Sequence, residues 1–203
     1  ENQAVTLGWN NRIRGDTTVH GPPAVFEIAL LEGFAADAGV DASSSIDLHL
    51  GATERLPAPR RDPRPEEERE ANEQVAENEP EGSEGGEEDD DEALPAVDLS
   101  VEVEDAAGRT ARVALSDYGP IRRPLEIRIL RRQDLEEDAD HSEQVLQSYH
   151  LPLSDFLERT PGLDPSAITA VRLVFDRAAV GEVIVDDIAF SRLPDDFWRA
   201  RLR

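Results

Sequence analysis

At 203 residues the chain is long enough for one β-sandwich of ordinary size with a long insertion. It contains no cysteine, which excludes disulfides, thiol catalysis and Cys-type zinc sites. Its formal charge of −24 sets 45 acidic residues against 21 basic ones, all arginine, and argues against nucleic acid as a partner, because nonspecific binding needs clustered cations facing phosphates.

The acid is unevenly spread. Residues 65–92 hold 15 acidic residues and one basic residue, Arg69, so −14 of the −24 lies there and −10 remains for the rest. An acidic, lysine-free surface fits a high-salt (halophilic) organism, where screening removes carboxylate repulsion. A GC-rich genome with one acidic loop accounts for it equally well. The chain begins at Glu1 and has no methionine, as expected of a mature or excised part of a larger exported protein. It has no apolar run long enough to span a membrane, and any targeting segment is expected to have been removed already.

In chain order, Ala4 to Trp9 reads as a short strand and Ala24 to Leu31 as a second. Ser45 to Leu50 is a third, with Ile46, Leu48 and Leu50 on one face and Asp47 and His49 on the other. Residues 58–95 are rich in Pro, Glu and Gly, with one Val, one Leu and no aromatic residue. They cannot bury enough apolar area to offset chain entropy and are expected to be a disordered acidic loop. Asp98 to Glu104 and Arg109 to Leu115 alternate cleanly around the turn 105–108, predicting a β-hairpin.

Leu125 to Leu130 is the next strand, and 133–142 a second acidic loop. Glu143 to Leu153 is a strand whose Pro152 predicts an edge position or a bulge. Residues 154–157 form a short helical turn. Asp164-Pro165 starts another, with Asp164 as cap. Ile168 to Asp176 and Glu182 to Phe190 are the last strands, with Gly181 as the turn before the second. About nine strands and no long helix predict an all-β protein, an antiparallel β-sandwich. Residues 1–203 are expected to be one domain, interrupted at 58–95 and ending in a tail, 194–203.

No motif with a catalytic mechanism is present. There is no Gly-x-Ser-x-Gly elbow and no phosphate loop. His20, His49, His141 and His150 show no helical metal spacing, and His49 and His150 sit on the polar faces of strands. Arg14-Gly15-Asp16 reads as a turn.

The closing stretch carries the most specific signal: Leu151-Pro152-Leu153-Ser154-Asp155-Phe156, Asp164-Pro165 to Ile168, Val171 to Asp176, and Gly181 to Phe190 ending in Asp186-Asp187-Ile188-Ala189-Phe190. With the 98–115 hairpin it resembles the galactose-binding-domain-like jelly rolls shared by many carbohydrate-binding modules. Such sandwiches occur C-terminal to secreted bacterial hydrolases. The resemblance implies a non-catalytic accessory domain, extracellular or at the cell surface, with carbohydrate or a covalently linked catalytic domain as partner. The alternative is a purely structural domain packing on an adjacent α/β-hydrolase-type domain. The resemblance also implies a structural Ca²⁺ at Asp186 or Asp187, of which only one can reach a given ion, because neighbours in a strand point to opposite faces. The competing reading is that one of them closes a loop by accepting backbone N–H bonds.

A sugar face needs exposed rings with hydrogen-bonding neighbours. Only 5% of residues are aromatic. Trp9 and Tyr149 alternate with apolar residues and are expected in the core. Tyr118, in the turn Ser116 to Pro120 beside Asp117, is the best exposed ring, and Trp198 lies in the tail. Asp117, Tyr118 and Trp198 are the candidate ligand-binding residues.

Overall fold

A computed structural model describes residues 4–13, 16–58, 96–126, 142–194 and 196–197. The expected acidic insertion from residue 59 onward, most of the second acidic loop with His141, Arg14-Gly15 and Trp198 lie outside the described residues. Twelve strands are described: β1 Val5–Asn10, β2 Arg12–Ile13, β3 Asp16–His20, β4 Ala24–Ala29, β5 Ser44–Ala52, β6 Ser100–Asp105, β7 Thr110–Ala114, β8 Leu125–Glu126, β9 Ser142–Glu143, β10 Gln147–Pro152, β11 Ile168–Phe175 and β12 Val180–Arg192. Two short helices, α1 Phe34–Asp37 and α2 Leu153–Arg159, and two 3-10 turns, Leu115–Asp117 and Pro165–Ala167, complete the description.

Eight strands build two antiparallel sheets, one in the order β1-β12-β5-β10 and one in the order β4-β11-β6-β7. Apart from the β6–β7 hairpin, each step from one of these eight strands to the next crosses between sheets. This is the connectivity of a jelly roll, which closes a sandwich with two Greek keys. β2–β3 and β8–β9 are two-stranded ladders of their own.

Period-two alternation explains the core. Ile46, Leu48, Leu50 and Ala52 of β5 are all fully buried. They belong to one apolar cluster with Val101, Val103, Val113, Val171, Leu173 and Phe175 of the second sheet. Each fully buried Leu, Ile or Val contributes about 1.5–3 kcal/mol. Trp9 and Tyr149 are core residues, as their alternation predicts. The Trp9 ring stacks on Phe175 with centroids 4.3 Å apart, and its indole N–H donates to the Ala178 carbonyl at 2.8 Å. Pro152 ends β10, an edge strand, where its missing N–H costs no ladder bond.

Three expectations need correction. Gly181 is not a turn: it lies inside β12 opposite Trp9, and a Cβ there would stand 2.6 Å from the indole ring. Its missing side chain makes room for the ring. The strand expected over 143–153 is broken at 144–146. There the Val145 carbonyl passes so close to Gly51 that a Cβ would lie 2.2 Å from it, and Gln144 Nε2 donates to the Ala52 carbonyl at 2.8 Å in place of a backbone partner. Of the strand expected over 125–130, β8 is the described part, and 127–130 lie outside the described residues.

The third correction concerns Asp186 and Asp187. They do not alternate across a flat strand. The β5 ladder shifts between Asp186 and Ile188, and Asp187 takes φ 47° as the extra residue of a bulge. Aspartate tolerates this left-handed conformation better than most residues.

The loop-closing work falls to other aspartates. Asp105, fully shielded from solvent, accepts from the backbone N–H groups of Ala107, Arg109 and Asp164 at 2.9–3.0 Å and from Arg109 Nε at 2.7 Å. Burial alone would raise its pKa, but these donors outweigh it and hold the carboxyl below its ordinary value. Asp164 caps the second 3-10 turn by accepting from Ser166 N at 3.0 Å, as its sequence predicts.

Candidate functional site

A cavity of about 420 Å³ opens at the edge of the first sheet, between β10, the turn after β7, and α2. Its wall carries Asp117 and Tyr118 from the turn, His150 and Pro152 from β10, Asp155, Glu158 and Arg159 from α2, and Phe197.

The turn is held from below. Leu115 is fully buried and its N–H donates to the Leu99 carbonyl at 2.9 Å. The buried Tyr149 hydroxyl donates to the Pro120 carbonyl at 2.9 Å. Burial pushes the Tyr149 phenol up to about 12, so it remains a donor throughout the physiological range. With both ends of the turn fixed, half-buried Tyr118 faces the cavity and donates its hydroxyl to Asp155 Oδ2 at 2.7 Å.

α2 is placed by its apolar side. Leu153 and Phe156, three residues apart and both fully buried, face the core. Asp155, Glu158 and Arg159, at spacings of three and four, are thereby carried on the cavity side. Thr160 Oγ1 ties the helix end to β7 by donating to the Thr110 carbonyl at 2.8 Å.

The polar groups differ in how firmly they are held. Arg159 Nη2 donates to Asp117 Oδ2 at 2.8 Å, with each side chain about half exposed, at 52% and 51%. Such a pair contributes about 0.2–1 kcal/mol and can yield to a ligand hydroxyl. His150 Nδ1 lies 2.9 Å from Asp47 Oδ1, which also accepts from Ser45 Oγ at 2.6 Å. Burial would raise the Asp47 pKa, but hydrogen bonds from Ser45, His150 and Ser191 bring it below the ordinary value. Glu158 is exposed and takes no hydrogen bond or ion pair among the described residues.

Of the residues singled out in the sequence, Asp117 and Tyr118 come together on this wall, while Trp198, which follows Phe197, is outside the described residues. Asp186 and Asp187 are elsewhere, in β12: Asp186 pairs in register with His49, and Asp187 is exposed on the bulge. Neither carboxylate accepts a hydrogen bond among the described residues, where no group of three or more His, Asp or Glu side chains could hold a metal. The sequence reading missed His150, Asp155, Glu158 and Arg159 as one set. The available signal was the i, i+3, i+4 spacing of the three α2 residues, hidden because 154–157 read as one turn and not a seven-residue helix.

No protein-family model matches the chain, and no curated protein matches it in sequence. Two solved structures resemble it. One is a family 30 carbohydrate-binding module, 12% identical, with a TM-score of 0.51, covering 94% of this chain and 68% of that one. The other is the family 30 carbohydrate-binding module of a cellulosomal cellulase of Clostridium thermocellum, also 12% identical, at a TM-score of 0.46, covering 93% and 73%. At that score the second adds nothing to the first. The likeness is one of architecture, and the chain has the antiparallel β-sandwich fold of a carbohydrate-binding module.

Proposed function

We propose that the chain is a non-catalytic carbohydrate-binding module and that its ligand occupies the β10–α2 cavity. One observation carries this reading. The cavity sets the rings of Tyr118 and Phe197 among Asp117, Arg159, Asp155 and Glu158. Rings that stack on pyranose faces and flanking groups that exchange hydrogen bonds with hydroxyls are what a sugar site requires. Affinity electrophoresis and calorimetry against a panel of soluble polysaccharides test it. Retardation by at least one polysaccharide, lost in Tyr118→Ala, is expected. No retardation and no heat on any of them would refute it.

The module's place beside a catalytic domain of a larger exported protein belongs to the same proposal. A gene encoding no catalytic domain in frame with this chain would remove that part. The second reading, a domain that only packs on a neighbouring hydrolase, draws on the exposed apolar side chains of Leu31 at 81% and Phe34 at 41%. It predicts that fusion to the neighbour raises the melting temperature while no polysaccharide binds.

A further inference from the structure

The charge of the cavity wall narrows the ligand class. We infer, resting on the carbohydrate-binding reading above, that the site prefers saccharides carrying a protonated amine over neutral ones and rejects uronates. The described wall holds three carboxylates, Asp117, Asp155 and Glu158, against one guanidinium, Arg159. Arg159 is already engaged by Asp117. Glu158 has no counter-charge among the described residues, and it faces the same space as the Tyr118 and Phe197 rings. An aromatic face with an unneutralised carboxylate beside it recognises an ammonium by two additive effects, attraction to the ring and attraction to the carboxylate. The same carboxylate opposes an anionic sugar on desolvation. His150 shares the wall, and a charge on its ring would act in the opposite sense, but its Nδ1 lies 2.9 Å from Asp47 Oδ1, whose carboxylate offsets it.

The test is calorimetric titration of the full chain at about pH 6, where the carboxylates are ionised, with three length-matched oligosaccharides: β-1,4-linked glucosamine, its N-acetylated form and oligogalacturonate. The amine form is expected to bind about 3- to 30-fold tighter than the acetylated form, the sum of one exposed cation–π contact and one exposed charge pair. Oligogalacturonate should not bind measurably. The ratio of amine to acetyl affinity should fall towards one in Glu158→Gln. It should persist in Glu32→Gln, which removes one charge from an exposed position outside the cavity wall and so controls for the field of the whole protein. An unchanged ratio in Glu158→Gln, or binding of the acetylated or uronate oligomer as tight as that of the amine, overturns the inference and leaves the carbohydrate reading standing. If no saccharide binds here or in the polysaccharide panel, both fall.

Discussion

The outer face of the second sheet and the cavity at the rim of the first are both crowded with charge, but they are wired differently. On the second sheet, Arg172 meets Glu27, Glu102 and Glu104, and Arg112 meets Glu102 and Asp176, all at 2.5–3.1 Å. Arg172 is only 19% exposed. Its donors are occupied by the protein itself, so the face has little to offer a ligand. In the cavity the Arg159–Asp117 pair is half exposed, and Glu158 has no partner among the described residues. Saturated charge holds strands together, whereas unsaturated charge beside a ring is available for recognition. The contrast predicts a separation: changes on the second sheet should cost stability and spare binding, and changes in the cavity should do the reverse.

The largest effect is expected at Asp105, at the turn of the second sheet. Asp105→Ala leaves three backbone N–H groups and the Arg109 guanidinium without their shared acceptor. Arg109 is 44% exposed and can turn to solvent, so the cost comes from the backbone donors left without an acceptor, about 3 kcal/mol together at about 1–3 kcal/mol for a buried one, readable as a lower denaturation midpoint. A loss below about 1 kcal/mol would mean that water satisfies these donors. The pH dependence has a definite sign. The folded carboxyl titrates below its ordinary value of 3.8, so its contribution is fully present above that value and is lost as the pH falls through the folded pKa. Wild type should therefore lose stability steeply below about pH 4, and Asp105→Asn should show a shallower slope there.

Next in size is Arg172→Leu, which leaves Glu27 and Glu104, on the strands either side of β11, without their shared guanidinium. The cost should be about 2 kcal/mol, between the values for exposed and buried pairs. Molar KCl should restore part of it, since the residue of the effect is carboxylate repulsion. Polysaccharide affinity should not change. Loss of affinity in this variant would join the two regions that the comparison separates.

How much of this was legible before the structure follows from how far each feature depends on distant contacts. The β5 alternation, the 98–115 hairpin, the Asp164-Pro165 turn, and Trp9 and Tyr149 as core residues are local patterns, and they stand in the sequence. The Asp187 bulge is set by pairing with β5, and the room at Gly181 is set by an indole from the other end of the chain. Neither has a local signature beyond an Asp or a Gly. The cavity is the least legible part. Its wall draws on 117–118, 150–152, 155–159 and 197, segments that only the jelly-roll crossings bring together. Tyr118 could be singled out as a ring in a turn, but its partner Asp155, 37 residues away, could not.

The smallest effect is expected from removing one oxygen in the cavity, and it separates ring from hydroxyl. Tyr118→Phe keeps the ring and deletes the donor to Asp155 Oδ2. The net loss of one such hydrogen bond is about 0.5–1.5 kcal/mol of stability. Asp155 keeps an acceptor contact with Ser154 Oγ at 3.2 Å, which places the expected cost at the low end of that range. If stacking carries the sugar, Tyr118→Phe should hold affinity within about threefold, while Tyr118→Ala should lose about tenfold, the equivalent of about 1.4 kcal/mol of ring contact. Equal loss in the two variants would show that the hydroxyl, through its hold on Asp155, and not the ring, organises the site. The cavity would then belong with the second sheet's charge network as a structural feature, and the contrast between the two regions would fail.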